Sequence, residues 1–240
     1  MEEEDPDLAD RHTLFWLDLV RLQLAPTPPH RANNAATLNL TETPPILIQP
    51  ETFDLVILDG HPLPVQRPGD PACIDAVPLL GPRLLVSQLF IALSSAREGA
   101  TLFIKLVGTP RDDVQRIICM LDALSDEIIL NKPTLMFATQ ESFYVVARGL
   151  RNTTRAGRGL GISLTRQGVL SGLQRLWTEL TFGRAGDDIK TREGRWNFIC
   201  TKEQFKKFYE RRYAELTAPV LKVLREALEA KIEVDRRGGL

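Results

Sequence analysis

Residues 53–60 read FDLVILDG, and this stretch decides the fold class. Large and β-branched apolar side chains run into an Asp-Gly turn pair, the pattern of a buried strand. Toward the C-terminus, LLVSQLFIALSSA (84–96) carries an apolar stripe at helical spacing, and Gly99 marks the turn that follows. ATLFIKLVG (100–108) is a second strand and DDVQRIICMLDAL (112–124) a second helix. EIILNKP (127–133) and SFYVVARGL (142–150) add two more strands across a short polar connection. Strand, helix, strand, helix, strand, strand is the order of an α/β domain whose last two strands pair antiparallel.

Three of these strand runs each carry one ionisable residue: Asp59 ends the first, Lys105 lies inside the second, and Glu141 opens the last. A charged side chain on such a run is costly to bury unpaired, so three of them point to a common site. Ligands of parallel α/β sheets bind at the carboxyl ends of the strands, where Asp59 and Lys105 stand. An antiparallel last strand starts at that same edge and brings Glu141 there. An acid, an amine and an acid in one cleft suit proton or group transfer. Each residue also has a plainer reading: a turn aspartate before Gly60, an edge-strand lysine facing solvent, and a solvated glutamate in a polar connection.

A chain of 240 residues with 43% apolar content can bury the core of one domain plus an appendage. No stretch approaches the roughly 20 apolar residues of a membrane span. The acidic start MEEEDPDLAD is the opposite of a basic signal-peptide region, so an intracellular location, cytoplasmic or nuclear, is expected, with no membrane partner. Cys73, Cys119 and Cys200 are far apart and lack zinc-ligand spacing, and His12, His30 and His61 form no ligand pattern, so no metal is expected.

The chain organises into residues 1–52, an N-terminal helix (14–24) and a Pro-rich loop (26–50); 53–151, the α/β core; and 152–240, a basic loop and helical extension. In the extension, 169–180 reads as a helix, 183–195 as a loop, and Thr201 to Gln204 as a capping box opening a helix that Pro219 should kink or divide. Its face carries Phe205, Phe208, Tyr209, Leu216, Val220, Leu224, Leu228 and Ile232.

The net charge of −1 conceals a division: residues 1–147 hold 10 basic and 20 acidic residues, whereas 148–212 hold 15 and 6. That basic segment could meet a polyanion. Lys132, Arg151, Arg155, Lys206, Lys207 and Arg211 are candidate contacts to an RNA backbone, with Trp196, Phe205 and Tyr209 as candidate stacking faces. The plainer reading is a solvated basic face over core aromatics.

In order and spacing, FDLVILDG with Asp59, LLVSQLFIALSSAREGATLFIKLVG with Lys105, and NKPTLMFATQESFYVVARGL with Glu141 resemble the FtsJ-like ribose 2′-O-methyltransferase family. The resemblance covers about residues 53–151. It implies a Rossmann-like class I methyltransferase sheet with an antiparallel last strand, S-adenosylmethionine as cofactor, and RNA as substrate. Asp59, Lys105 and Glu141 would be the catalytic residues, Asp59 also touching the cofactor. Lys105 would orient the ribose hydroxyl while a direct displacement carries the methyl from the sulfonium to the 2′-oxygen. Two carboxylates beside an amine favour its charged form, so positioning contributes more than deprotonation. The family also has a glycine-rich cofactor turn and a further lysine upstream, whereas this chain has no glycine before Gly60 and no lysine before Lys105. An incomplete first half of the sheet is therefore expected. The alternative is a catalytically inactive module of the same shape that binds RNA or protein.

Overall fold

The computed structural model describes residues 50–60, 72–135, 137–154, 161–182 and 195–238, without the side chains of 72–80 and 238. The expected helix at 14–24, most of the Pro-rich loop and residues 183–194 lie outside these. Ten elements follow in order: β1 (Phe53–Leu58), α1 (Ala72–Ser95), β2 (Ala96–Val107), α2 (Asp112–Leu124), β3 (Glu127–Asn131), β4 (Ser142–Arg148), α3 (Arg166–Phe182), α4 (Lys202–Phe208), a π-helical turn (Tyr209–Tyr213) and α5 (Ala214–Gly238). The strands form one open sheet in the order β1-β2-β4-β3. β1 and β2 are parallel, and β4 runs antiparallel to both neighbours, β2 and β3. The chain is thus α/β with a helical C-terminus.

Alternation along the strands separates two faces. Leu102, Ile104 and Leu106 of β2 align with Ala147, Val145 and Phe143 of β4, and all six are buried. These residues meet the buried stripes of α1 (Val86, Leu89, Leu93) and α2 (Ile117, Ile118, Leu121) in one core. On the other face Leu55, Ile57 and Val107 are exposed, whereas Phe103, Lys105, Tyr144 and Val146 are half-buried. The core does not stop at the end of β4: Leu173 and Trp177 of α3, Phe208 of α4 and Val220 of α5 belong to the same cluster, and α3 packs along α1.

Three local expectations are corrected. The first helix begins at Ala72 instead of Leu84 and runs through Gly81 and Pro82; burial of its C-terminal half outweighs the backbone bond that an interior proline forfeits. Gly99, expected in a turn, lies within β2 at φ +84°. The β1–β2 register jumps from Phe53 opposite Ala96 to Leu55 opposite Thr101. Gly99 therefore serves an irregularity in the strand, where its missing Cβ permits the left-handed backbone. Pro219 does not divide its helix but lies inside α5, which follows directly on the π turn. The capping box is present, with the Gln204 amide donating to Thr201 Oγ1 (3.2 Å) and the Thr201 amide to Gln204 Oε1 (2.9 Å). Among the described residues, no helix is long and apolar enough to cross a membrane.

Candidate functional site

Register explains how Asp59 reaches Lys105. Leu58 aligns with Ile104 in the parallel β1–β2 pair, so the residues that follow them, Asp59 and Lys105, lie side by side on the open face. Lys105 Nζ stands 3.6 Å from Asp59 Oδ1; the lysine side chain is 11% exposed and the aspartate 52%. A half-exposed pair of this kind contributes roughly 0–1 kcal/mol, so stability alone gives little reason for it. Two rings complete the surroundings of the ammonium, Phe137 at 5.3 Å and Tyr144 at 5.8 Å from Nζ to the centroids. Tyr144 is the cross-strand partner of Lys105 and packs on Phe103. Aromatic faces favour a cation at this distance.

Glu141 reaches the same edge but not the same group. Antiparallel pairing sets Ser142 opposite Val107 and brings the Glu141 carbonyl to the Gly108 amide at 3.2 Å. Ser142 and Tyr144 share the face of Lys105, whereas Glu141 lies in the bend just before β4. Its carboxylate and the Arg111 side chain flank Gly108. No ion pair within 4.0 Å joins Glu141 to Lys105, in contrast to the expected three-residue cluster.

The connection from β3 to β4 supplies what the sequence reading missed. Lys132, expected on an RNA-facing surface, is only 3% exposed. Its ammonium donates to the carbonyls of Phe137 (3.2 Å), Gln140 (2.5 Å) and Ser142 (2.9 Å). Three acceptors hold the charge, although burial lowers its pKa from the ordinary lysine value. Lys132 is therefore a staple for the loop and cannot meet a phosphate. The stapled loop holds Phe137 at φ +58°, a left-handed backbone that costs a non-glycine residue on the order of 1 kcal/mol.

The remaining basic candidates divide. Lys206, Lys207 and Arg211 are exposed on α4 and the π turn, and the Tyr213 hydroxyl donates to the Thr109 carbonyl just past β2, so this basic helix adjoins the strand-end edge. Arg151 sits at the opposite end of the sheet, paired with Asp126. Arg155 lies outside the described residues. Trp196 is buried and stacks on Phe198, and Phe205 is half-buried against the Arg116 guanidinium; Tyr209 is exposed, with its ring stacked on Tyr213. Cys119 and Cys200, 81 positions apart, meet with their sulfurs 4.0 Å apart, both free and buried. The hydrogen bond to Cys200, with burial, pushes the Cys119 thiol up. Among the described residues, no cluster of His, Cys, Asp and Glu is placed to hold a metal ion. A cavity of about 480 Å³ opens between α1, α3 and the start of α2, lined by Leu85, Leu176, Leu180, Trp196 and Arg111. It does not include Asp59 or Lys105.

No protein-family model and no curated protein sequence matches the chain. The chemistry must be read from the site itself: a cation on the sheet face opposite the core, with a carboxylate and two rings beside it among the described residues.

Tyr213 yields a pH prediction. Burial, and next the neighbouring Tyr209, push its phenol up to about 12. A group whose pKa rises on folding adds stability below its unfolded value and loses it as pH climbs through the folded one. Between roughly pH 10 and 12, tyrosinate absorbance should show one late step, absent in Tyr213→Phe, together with falling stability. Complete ionisation near pH 10 with the fold intact would contradict the buried phenol.

Proposed function

We propose that the chain carries the acceptor end of an S-adenosylmethionine-dependent RNA 2′-O-ribose methyltransferase site. The observation that carries this reading is the contact of Lys105 with Asp59 at the carboxyl ends of two parallel strands, beside an antiparallel last strand that begins just after Glu141. Lys105 presents a charged donor that can hold the ribose hydroxyl and offset charge developing on its oxygen. Asp59 stands beside the ammonium, and the Phe137 and Tyr144 rings favour its charge there. Glu141 serves at the rim, next to Gly108 and Arg111. Exposed Lys206, Lys207 and Arg211 adjoin the same edge and suit an RNA backbone.

Toward S-adenosylmethionine the described residues offer Asp59 and no glycine-rich turn, so they fit the acceptor end of a transfer site and not a complete cradle for the donor. A second reading is an inactive module that keeps the sheet and binds RNA or protein, since the exposed Lys206, Lys207 and Arg211 suit a polyanion without any transfer chemistry. Calorimetric titration of the full chain with S-adenosylmethionine separates the two: measurable heat of binding supports the enzyme, and its absence leaves the binding module.

A further inference from the structure

We infer that Phe137 is a stacking platform for an unpaired nucleobase of single-stranded RNA, set beside the ammonium of Lys105. The inference rests on the RNA substrate proposed above and adds the part of that substrate the site would grip. Three features of the β3–β4 loop lead to it. Phe137 is strained, with its backbone in the left-handed region. Lys132 is buried at 3% exposure with all three of its carbonyl acceptors in this one segment, one of them Phe137's own; the Gln140 amide also donates to that carbonyl at 3.0 Å. The result of this restraint is an aromatic ring left 47% exposed, with one side near Lys105 Nζ.

A loop that only joined two strands would have no use for a buried ammonium, a strained backbone and an outward ring together. Strain of this kind persists where the surroundings over-determine it, and it concentrates at binding sites. An apolar ring serving the core would be covered; Phe137 and its neighbour Leu135, at 93% exposure, are not. A flat partner with a π face fits an exposed phenyl ring, and stacking on aromatic side chains is how unpaired bases are held. Charge decides for a nucleotide: Lys105 stands beside the ring, and the exposed cations of α4 and the π turn adjoin the same edge through the Tyr213–Thr109 contact. A nucleotide with its base on Phe137 brings its ribose and phosphates toward these cations.

The test uses a fluorescein-labelled single-stranded oligoribonucleotide, its duplex, and the full chain as wild type, Phe137→Leu, Phe137→Trp and Lys132→Met, with circular dichroism to verify folding. Anisotropy should show Phe137→Leu binding the single strand about tenfold more weakly, the loss of one stacked base. Lys132→Met should weaken it similarly with the ring intact, because the loop is released. Phe137→Trp should keep the affinity, and the new indole emission should be quenched by unlabelled single strand and not by duplex. Equal single-strand affinity for wild type and Phe137→Leu overturns the stacking role and assigns the exposed ring to a protein contact, leaving the methyltransferase reading intact. A wild-type chain that binds no RNA overturns both.

Discussion

Replacing Lys105 with alanine should abolish methyl transfer to RNA while leaving the fold unchanged. The two halves of this expectation have separate physical grounds. Lys105 projects from the face of β2 opposite Leu102, Ile104 and Leu106, so its removal leaves the core packing untouched. Its ion pair with a half-exposed aspartate adds little to stability. In the proposed reaction, however, it is the only described cation held at the Asp59 strand end by both a carboxylate and rings. Loss of a preorganised donor at a developing oxyanion costs on the order of 10²–10³ in rate. The measurement is transfer of labelled methyl from S-adenosylmethionine to RNA, with circular dichroism to verify folding. Activity equal to wild type would remove Lys105 from the chemistry. Asp59→Asn, which keeps the shape but not the charge, should give a smaller loss, since the ammonium would remain.

The largest effect on stability should come from Phe143→Ala. Phe143 is fully buried at the start of β4, opposite Leu106. Truncating a buried phenylalanine typically costs about 3–5 kcal/mol through lost transfer energy and the cavity left behind. A typical domain is stable by only about 5–15 kcal/mol, so this is a large share. β4 also holds β2 and β3 together, since it is the strand between them. Urea denaturation should show the midpoint falling steeply with an unchanged slope. A loss under ~1 kcal/mol would mean that the side chain is not packed as described.

The sheet was legible because its signals are local. Four apolar runs at strand length and two intervening helical stripes are readable within short windows, and DDVQRIICMLDAL coincides with α2 from end to end. The pairing of Asp59 with Lys105 was legible for the same reason, because parallel neighbours with similar ends align them. Glu141 reaches the expected edge, but its carboxylate lies beside Gly108, because the bend before β4 and not the strand sets its direction. Lys132 reads as a surface lysine in a polar connection; its burial depends on carbonyls up to ten positions away folding back over it. Phe137 gives no sign in sequence of a left-handed backbone, which phenylalanine rarely adopts. Cys119 and Cys200 meet only through packing of the C-terminal helices on α2, so no spacing rule finds them.

The core that runs on past β4 has a consequence for cooperativity. Trp177 and Leu173 of α3 sit in the same buried cluster as Leu89 and Leu93 of α1 and Ile104 of β2. The four described strands therefore share one core with the C-terminal helices. Amide hydrogens of α1 and α3 should exchange through one shared opening, with matched protection that collapses together in denaturant. A chain cut after Arg151 would keep every strand and the Lys105 site, yet it would expose the flank of α1 to water and lose the fold that sets Asp59 beside Lys105.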